Sequence, residues 1–260
     1  MATCFTGEAI RGRRAPLPHK QFARELAKGD SAEMLLARLA SMACHPAVLR
    51  KAAHLIGAIH HSVETDPRPV ALGNGTRSYH LAMRIRNLHD ALGLHVHDLC
   101  HGALYRSRRS LDLLHGGGGT KEAFHCEHTI QASILAALIY DHLRGHSLRR
   151  KAHFILSRGV VTALTRMERK ALDEKRYCGT NRKGSWVRSH PDFPEGRPRE
   201  DGPVRPFRRY LDTDIEIIFV PTGEQIDCAN STWSDHVIRL RRFRLYRAAT
   251  YMNVAKAVVK

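Results

Sequence analysis

The chain has no cysteine pair at C-x-x-C spacing: Cys4, Cys44, Cys100, Cys126, Cys178 and Cys228 are scattered along it. Zinc ribbons and treble-clef knuckles need such pairs to bring two thiolates to one tetrahedral ion, so the scatter argues against both. It also lacks a long apolar run. The longest, residues 130–140, is about half of the ~20 residues that a bilayer-crossing helix requires. The stretch from Met1 to Glu8 holds an acid and no apolar h-region, so no secretory signal is expected and the cysteines are expected to be reduced. These absences predict a soluble cytoplasmic or nucleoid-associated protein with no membrane partner. Acid is the remaining shortage: 25 Asp and Glu stand against 42 Lys and Arg, a formal net charge of +17. Such an excess repels itself in a folded chain and implies a polyanionic partner, nucleic acid ahead of anionic membrane.

A length of 260 residues is enough for one large domain or two small ones. Apolar residues recur at helical spacing from Ser31 (Met34, Leu35, Leu39, Met42) and again from Pro46 (Val48, Leu49, Ala52, Leu55, Ile56, Ile59). Further helices are predicted over 76–92, with the stripe Leu81, Ile85, Leu88 and Leu92, and over 95–114. Residues 1–115 therefore read as an α-helical domain, a candidate surface for a protein partner or for self-association. His97 and His101 lie one helical turn apart, but no third ligand is tied to them by spacing. Gly116 to Gly119 form a hinge rather than a phosphate loop, since Thr120-Lys121 follows where a P-loop would have Lys-Ser/Thr.

Beyond the hinge, 123–129 is short enough for one strand and 130–143 is an apolar helix. Residues 159–164 read as a second strand, and Thr165-x-x-Glu168 is a capping box that opens a helix running to about Tyr177. A Pro-, Gly- and Arg-rich stretch, 178–209, cannot pack a core and is expected to be a basic loop. Residues 215–220 read as a strand, 221–224 as a turn and 233–259 as a helix with a basic outer face. The fold class expected is α+β, predominantly α. It has a helical bundle (1–115), a small ββα-type core with its basic loop (120–220) and a basic C-terminal helical region (221–260). Arg149, Arg150, Lys151, Arg182, Lys183, Arg239, Arg241, Arg242 and Arg244 are the candidate phosphate-facing cations.

One stretch carries residues suited to chemistry, Phe124-His125-Cys126-Glu127-His128-Thr129-Ile130. Phosphodiester hydrolysis needs a base to activate water and a cation to neutralise developing charge. Histidine suits the first task and a carboxylate, through Mg²⁺, the second. The stretch resembles the acid-His core strand of the His-Me finger (ββα-metal) nucleases, the superfamily of the HNH endonucleases. The resemblance implies a metal-dependent nuclease, DNA favoured over RNA. His128 would be the general base, with Glu127 and Glu168 as ligands of Mg²⁺ or another divalent cation. Gln131 stands where the family usually has Pro, and no Asn occupies the middle position, so His153 or Asn181 would orient the histidine. His125 is expected to be a buried polar neighbour.

Two other readings compete. Asp212, Asp214 and Glu216 would share one strand face, as metal-binding carboxylates do in nucleotidyltransferases, though strand-edge charge explains them as well. A non-enzymatic nucleic-acid-binding or regulatory protein with an arginine-rich phosphate-binding surface fits the charge equally.

Overall fold

A computed structural model of the chain describes residues 46–66, 77–91, 100, 103–116, 120, 123–174, 190–193 and 203–242. Among them, α1 (Pro46–Thr65) and α2 (Arg77–Ala91) lead to a short strand β1 (Tyr105–Ser107) and the helix α3 (Arg108–His115). Strand β2 (Phe124–His128) follows, then α4 (Ala132–Leu143), α5 (Leu148–Arg158), β3 (Val161–Thr165) and α6 (Arg166–Glu174). A 3-10 turn (Arg208–Thr213), β4 (Ile217–Phe219), β5 (Glu224–Gln225) and α7 (Trp233–Arg242) complete the described chain.

The five strands form one sheet in the order β2-β3-β1-β4-β5, with β1 parallel to β3 and every other pairing antiparallel. Alternation along the strands divides the apolar residues into two cores. Phe124, Cys126, Val161 and Ala163 join Ile56, Ile85, Leu135, Ile139 and Ile155 of the helices in the first. Tyr105, Leu164, Ile217 and Phe219 turn the other way, onto Leu172, Phe207 and Tyr210. Helices α1, α2, α4 and α5 thus cover one face of the sheet, and α6 with the 3-10 turn covers the other.

The mixed α+β architecture follows the sequence reading, with three differences. Residues 105–107 were expected inside a helix and form a central strand, because Tyr105 and Arg106 pair with β3 on one side and Tyr105 to Ser107 pair with β4 on the other. That strand and the first core cross the boundary expected near residues 115–120: α2 packs on α4 and α1 on α5. The apolar helices α1 and α2 bury Ile56, Ile59, Leu81 and Ile85 against the later part of the chain rather than only against each other. Thirdly, Asp212, Asp214 and Glu216 do not line up on a strand. Asp212 lies in the 3-10 turn, Asp214 ends it at φ +52°, and exposed Glu216 pairs with Arg108. The helix expected from Ser31, the His97/His101 pair and most of the loop over 178–209 lie outside the described residues.

Two buried imidazoles brace the second core. His236 Nδ1 lies 2.7 Å from Tyr105 Oη. His190 Nδ1 accepts from the Asp192 amide at 3.1 Å, and its Nε2 donates to the Pro206 carbonyl at 3.1 Å. Burial, reinforced by the charge of Arg239, pushes His236 down to about 3. Burial and Arg209 do the same to His190, also to about 3. Each ring is neutral in the fold and gains a proton on unfolding once the pH is below its ordinary value of about 6.5. Stability should therefore fall as pH drops from about 6.5 toward 3, by up to ~1.4 kcal/mol per pH unit for each ring. Urea unfolding between pH 7 and pH 5 is expected to show that loss, and His236→Gln should reduce the slope by about one proton. An unchanged slope would remove His236 from the account.

Candidate functional site around strand β2

Glu127 and His128 are neighbours on an extended strand, so their side chains leave it on opposite faces. Glu127 points at α6 and the 3-10 turn. Its Oε1 accepts hydrogen bonds from Arg209 Nη2 and, at 2.8 Å, from Tyr210 Oη. Its Oε2 lies 3.6 Å from Arg169 Nε, and Arg169 in turn pairs with Asp173 one turn further along α6. Burial pushes the Glu127 carboxyl up, but Arg209 and Arg169 outweigh it and hold the group below the ordinary carboxylate value. Arg209 is only 2% exposed. Burial works against its charge, and Glu127 more than restores it, so the guanidinium is held above its usual range. Burial and the facing carboxylate push the Tyr210 phenol up, which keeps it a hydrogen-bond donor. The result is a charge-compensated polar cluster inside the second core.

His128 points the other way, into the helical layer. Its Nε2 lies 2.7 Å from Nδ1 of His89, a fully buried residue near the end of α2. The two rings tilt against one another with centroids 4.9 Å apart. Gly159, just before β3, passes directly beneath the His89 ring, where a Cβ would collide with the imidazole. A glycine is needed there for that close approach rather than for a special turn. At the strand's end Thr129 Oγ1 and Thr162 Oγ1 are 2.8 Å apart, tying β2 to β3.

Glu168 performs a local task. Its Oε2 accepts from Ser107 Oγ at 2.6 Å, from the Thr165 amide at 2.8 Å and from Thr165 Oγ1 at 3.0 Å, while Thr165 Oγ1 accepts from the Glu168 amide at 3.2 Å. This is a capping box with an added bond to β1. Register separates it from Glu127: Thr165 pairs with Phe124, whereas Glu127 pairs with Thr162, three positions or about 10 Å along the ladder. The residue of α6 that reaches Glu127 is Arg169.

A divalent cation of the Mg²⁺ type requires oxygen ligands with lone pairs to spare. Both Glu127 oxygens face guanidinium or phenol donors, and one oxygen of Glu168 already receives three hydrogen bonds. Among the described residues no three His, Cys, Asp or Glu side chains converge as a metal-holding group. The donor set around β2 does not fit a divalent cation.

The remaining sequence candidates separate by burial. Arg149 and Arg150 are exposed on the first turn of α5. Lys151, expected to face phosphate, is fully buried; its Nζ donates at 2.5 Å to both Glu64 Oε1 and the His146 carbonyl, fastening α5 to α1. Arg239 is bound to Glu224 at 2.8 Å. His153 stands on the exposed side of α5, and the imidazole that meets His128 is His89. Asn181, Arg182, Lys183 and Arg244, and the side chains of Arg241 and Arg242, lie outside the described residues.

Sequence reasoning missed His89, Arg169, Arg209 and Tyr210. His89 had a readable signal, since it falls four residues after Ile85 on the buried stripe of α2. Arg209 and Tyr210 had a weaker one, a basic run adjoining Phe207 within an otherwise polar stretch. Compared with models of protein families, with curated proteins and with solved structures, the chain matches nothing in any of the three.

The cluster makes two predictions about stability. Glu127→Ala leaves Arg209 buried without its carboxylate and should cost about 3–5 kcal/mol in urea unfolding. The double variant Glu127→Met/Arg209→Met should recover a large part of that loss, whereas a single variant as stable as wild type would show that the pair bears no weight. Glu168→Ala should cost about 1–3 kcal/mol, the value of a cap plus a buried hydrogen bond to a charged group. A smaller loss than the Ser107→Ala variant shows would contradict the capping role.

Proposed function

We propose that the protein is a nucleic-acid-binding protein that grips phosphate through exposed arginines on its helical surface. The observation that carries this reading is where the charges sit. Glu64, Glu127, Asp173, Asp192, Glu216 and Glu224 are matched to cations of the fold itself. Exposed Arg109 and exposed Arg149 and Arg150 instead stand in the first turns of α3 and α5, which contain no acid. The positive end of a helix disfavours a cation by about 0.3–1 kcal/mol. An anion arriving there would gain from the arginines, from the helix dipole and from the formal charge of +17 together.

A phosphodiesterase reading has one supporting observation of its own. Strand β2 pairs antiparallel with β3, α6 follows β3 directly, and α6 packs on both strands, the order of a ββα unit. Opposing it, Glu127 and His128 diverge and His128 is bonded to His89. One experiment weighs both readings. Fluorescence anisotropy with labelled duplex DNA, single-stranded DNA and RNA over a salt series is expected to show binding that weakens steeply with salt. Arg149→Ala/Arg150→Ala should lower the log–log slope by roughly 2. Salt-independent binding, or a slope unchanged in the variant, would overturn the phosphate-gripping reading. Plasmid incubated with Mg²⁺ or EDTA is expected to remain intact, and cleavage lost in a folded His128→Ala variant would establish the nuclease instead.

A further inference from the structure

Strands β1 and β3 are parallel neighbours, Tyr105 opposite Thr162 and Arg106 opposite Ala163, and each runs straight into a helix, α3 at Arg108 and α6 at Arg166. The two helices leave on opposite faces of the sheet. α3 puts Leu114 into the first core and holds Ser110 Oγ 3.2 Å from Arg106 Nη1, whereas α6 puts Leu172 into the second core and sends Arg169 to Glu127. Where adjacent parallel strands send the chain to opposite faces, a crevice opens at their carboxyl ends, the place where open α/β sheets receive ligands. Here Ser107 Oγ donates across it to Glu168 Oε2 at 2.6 Å, and the same two side chains cap α3 and α6. The crevice is therefore closed by the fold's own groups, and a partner must lie across its rim rather than inside it.

That rim is basic. Arg109 is exposed on the α3 side, and Arg166 and Lys170, one helical turn apart, are exposed on the α6 side. Among the described residues none of the three enters an ion pair, while exposed Arg108 shares its charge with Glu216 at 3.5 Å. Beside Arg166 and Lys170 stands Met167, 73% exposed and the barest of the large apolar side chains described. The acids Asp112, Asp173 and Glu174 follow about a turn or more further along the two helices, away from the edge. We propose that this rim is a contact surface for a nucleic-acid duplex, with Arg109 on one side and Arg166 and Lys170 on the other holding its two backbones while Met167 enters the groove between them. This rests on the nucleic-acid reading of the exposed arginines and adds to it a surface and a form of nucleic acid. Cations on both faces of the sheet suit two rows of phosphates, of which a single strand has one. A thioether gains nothing from a phosphate, but an apolar side chain set among phosphate contacts packs against sugar and base edges.

The test uses the full chain with a short labelled DNA duplex and its separated single strand. In anisotropy titrations over a salt series, Arg109→Ala/Arg166→Ala/Lys170→Ala should lower the log–log slope for the duplex by roughly 2–3. Met167→Ala should weaken duplex binding about fivefold and leave the slope unchanged. On the wild-type chain, excess duplex should slow oxidation of Met167 by peroxide and acetylation of Lys170 by about tenfold, read by site-resolved mass spectrometry, and the single strand should protect Met167 far less. Full reactivity of both residues under saturating duplex would overturn the surface, as would an unchanged slope in the triple variant where Arg149→Ala/Arg150→Ala lowers it; either result leaves the nucleic-acid reading standing. Equal protection of Met167 by the single strand would overturn the duplex assignment. A wild-type chain that binds neither probe would remove the surface and the nucleic-acid reading together. Protection is read on the wild-type chain, so a variant that fails to fold does not shield the proposal.

Discussion

A carboxylate taken out of water costs several kcal/mol unless cations go with it. Glu127 goes into the second core with two, and the arrangement of much of that core follows. Arg209 and Tyr210 come from the 3-10 turn and Arg169 from α6, so satisfying one carboxylate fixes the turn and the helix against β2. The converse holds as strongly. Arg209 could not be buried without Glu127, and the Tyr210 phenol would lack an acceptor at that oxygen. Net stabilisation from such a cluster is small or even negative relative to apolar replacements, so its value lies in specifying one register and one docking of the turn.

Strand alternation then assigns the rest. Because Glu127 is committed to one face, His128 must take the other, where α2 supplies His89 and Gly159 leaves room for it. A dipeptide that looks like a single reactive centre in the sequence is divided by the sheet between two cores. Adjacency along a helix end or a loop would have let both side chains converge; adjacency on a flat, doubly covered strand does not.

What the sequence made legible was local. Strand β2, the apolar helix α4, strand β3 and the start of α6 all appear close to where periodicity and the capping box put them, because each is announced by its own residues. Strand β1 was not legible: three residues are too few to display a period of two, and the apolar residues around it, Leu104, Leu111 and Leu114, carry a helical spacing. The partners within the candidate site were hidden for a different reason. Arg209 is 82 residues from Glu127, and His89 is 39 from His128. No local pattern joins them, and a buried arginine looks the same in a sequence as an exposed one. Lys151 shows the same ambiguity, standing beside Arg149 and Arg150 in a basic run yet turned inward to Glu64.

Glu168 shows how one pattern can support two roles until its hydrogen bonds are counted. Thr-x-x-Glu at a strand-to-helix junction suits a cap, and a strand-to-helix junction is also where a ββα-metal site would place its closing ligand. Three donors converging on one oxygen, one of them from β1, decide for the cap. The geometry then explains why Arg169 rather than Glu168 meets Glu127. On α6 consecutive residues are turned by about 100°, so once Glu168 faces its own N-terminus and Ser107, the next side chain is directed along β2. With a guanidinium rather than a carboxylate delivered to that position, the pocket around Glu127 is balanced in charge as it stands. Any surface for a polyanion would then be formed by the arginines that remain exposed, not by this enclosed cluster.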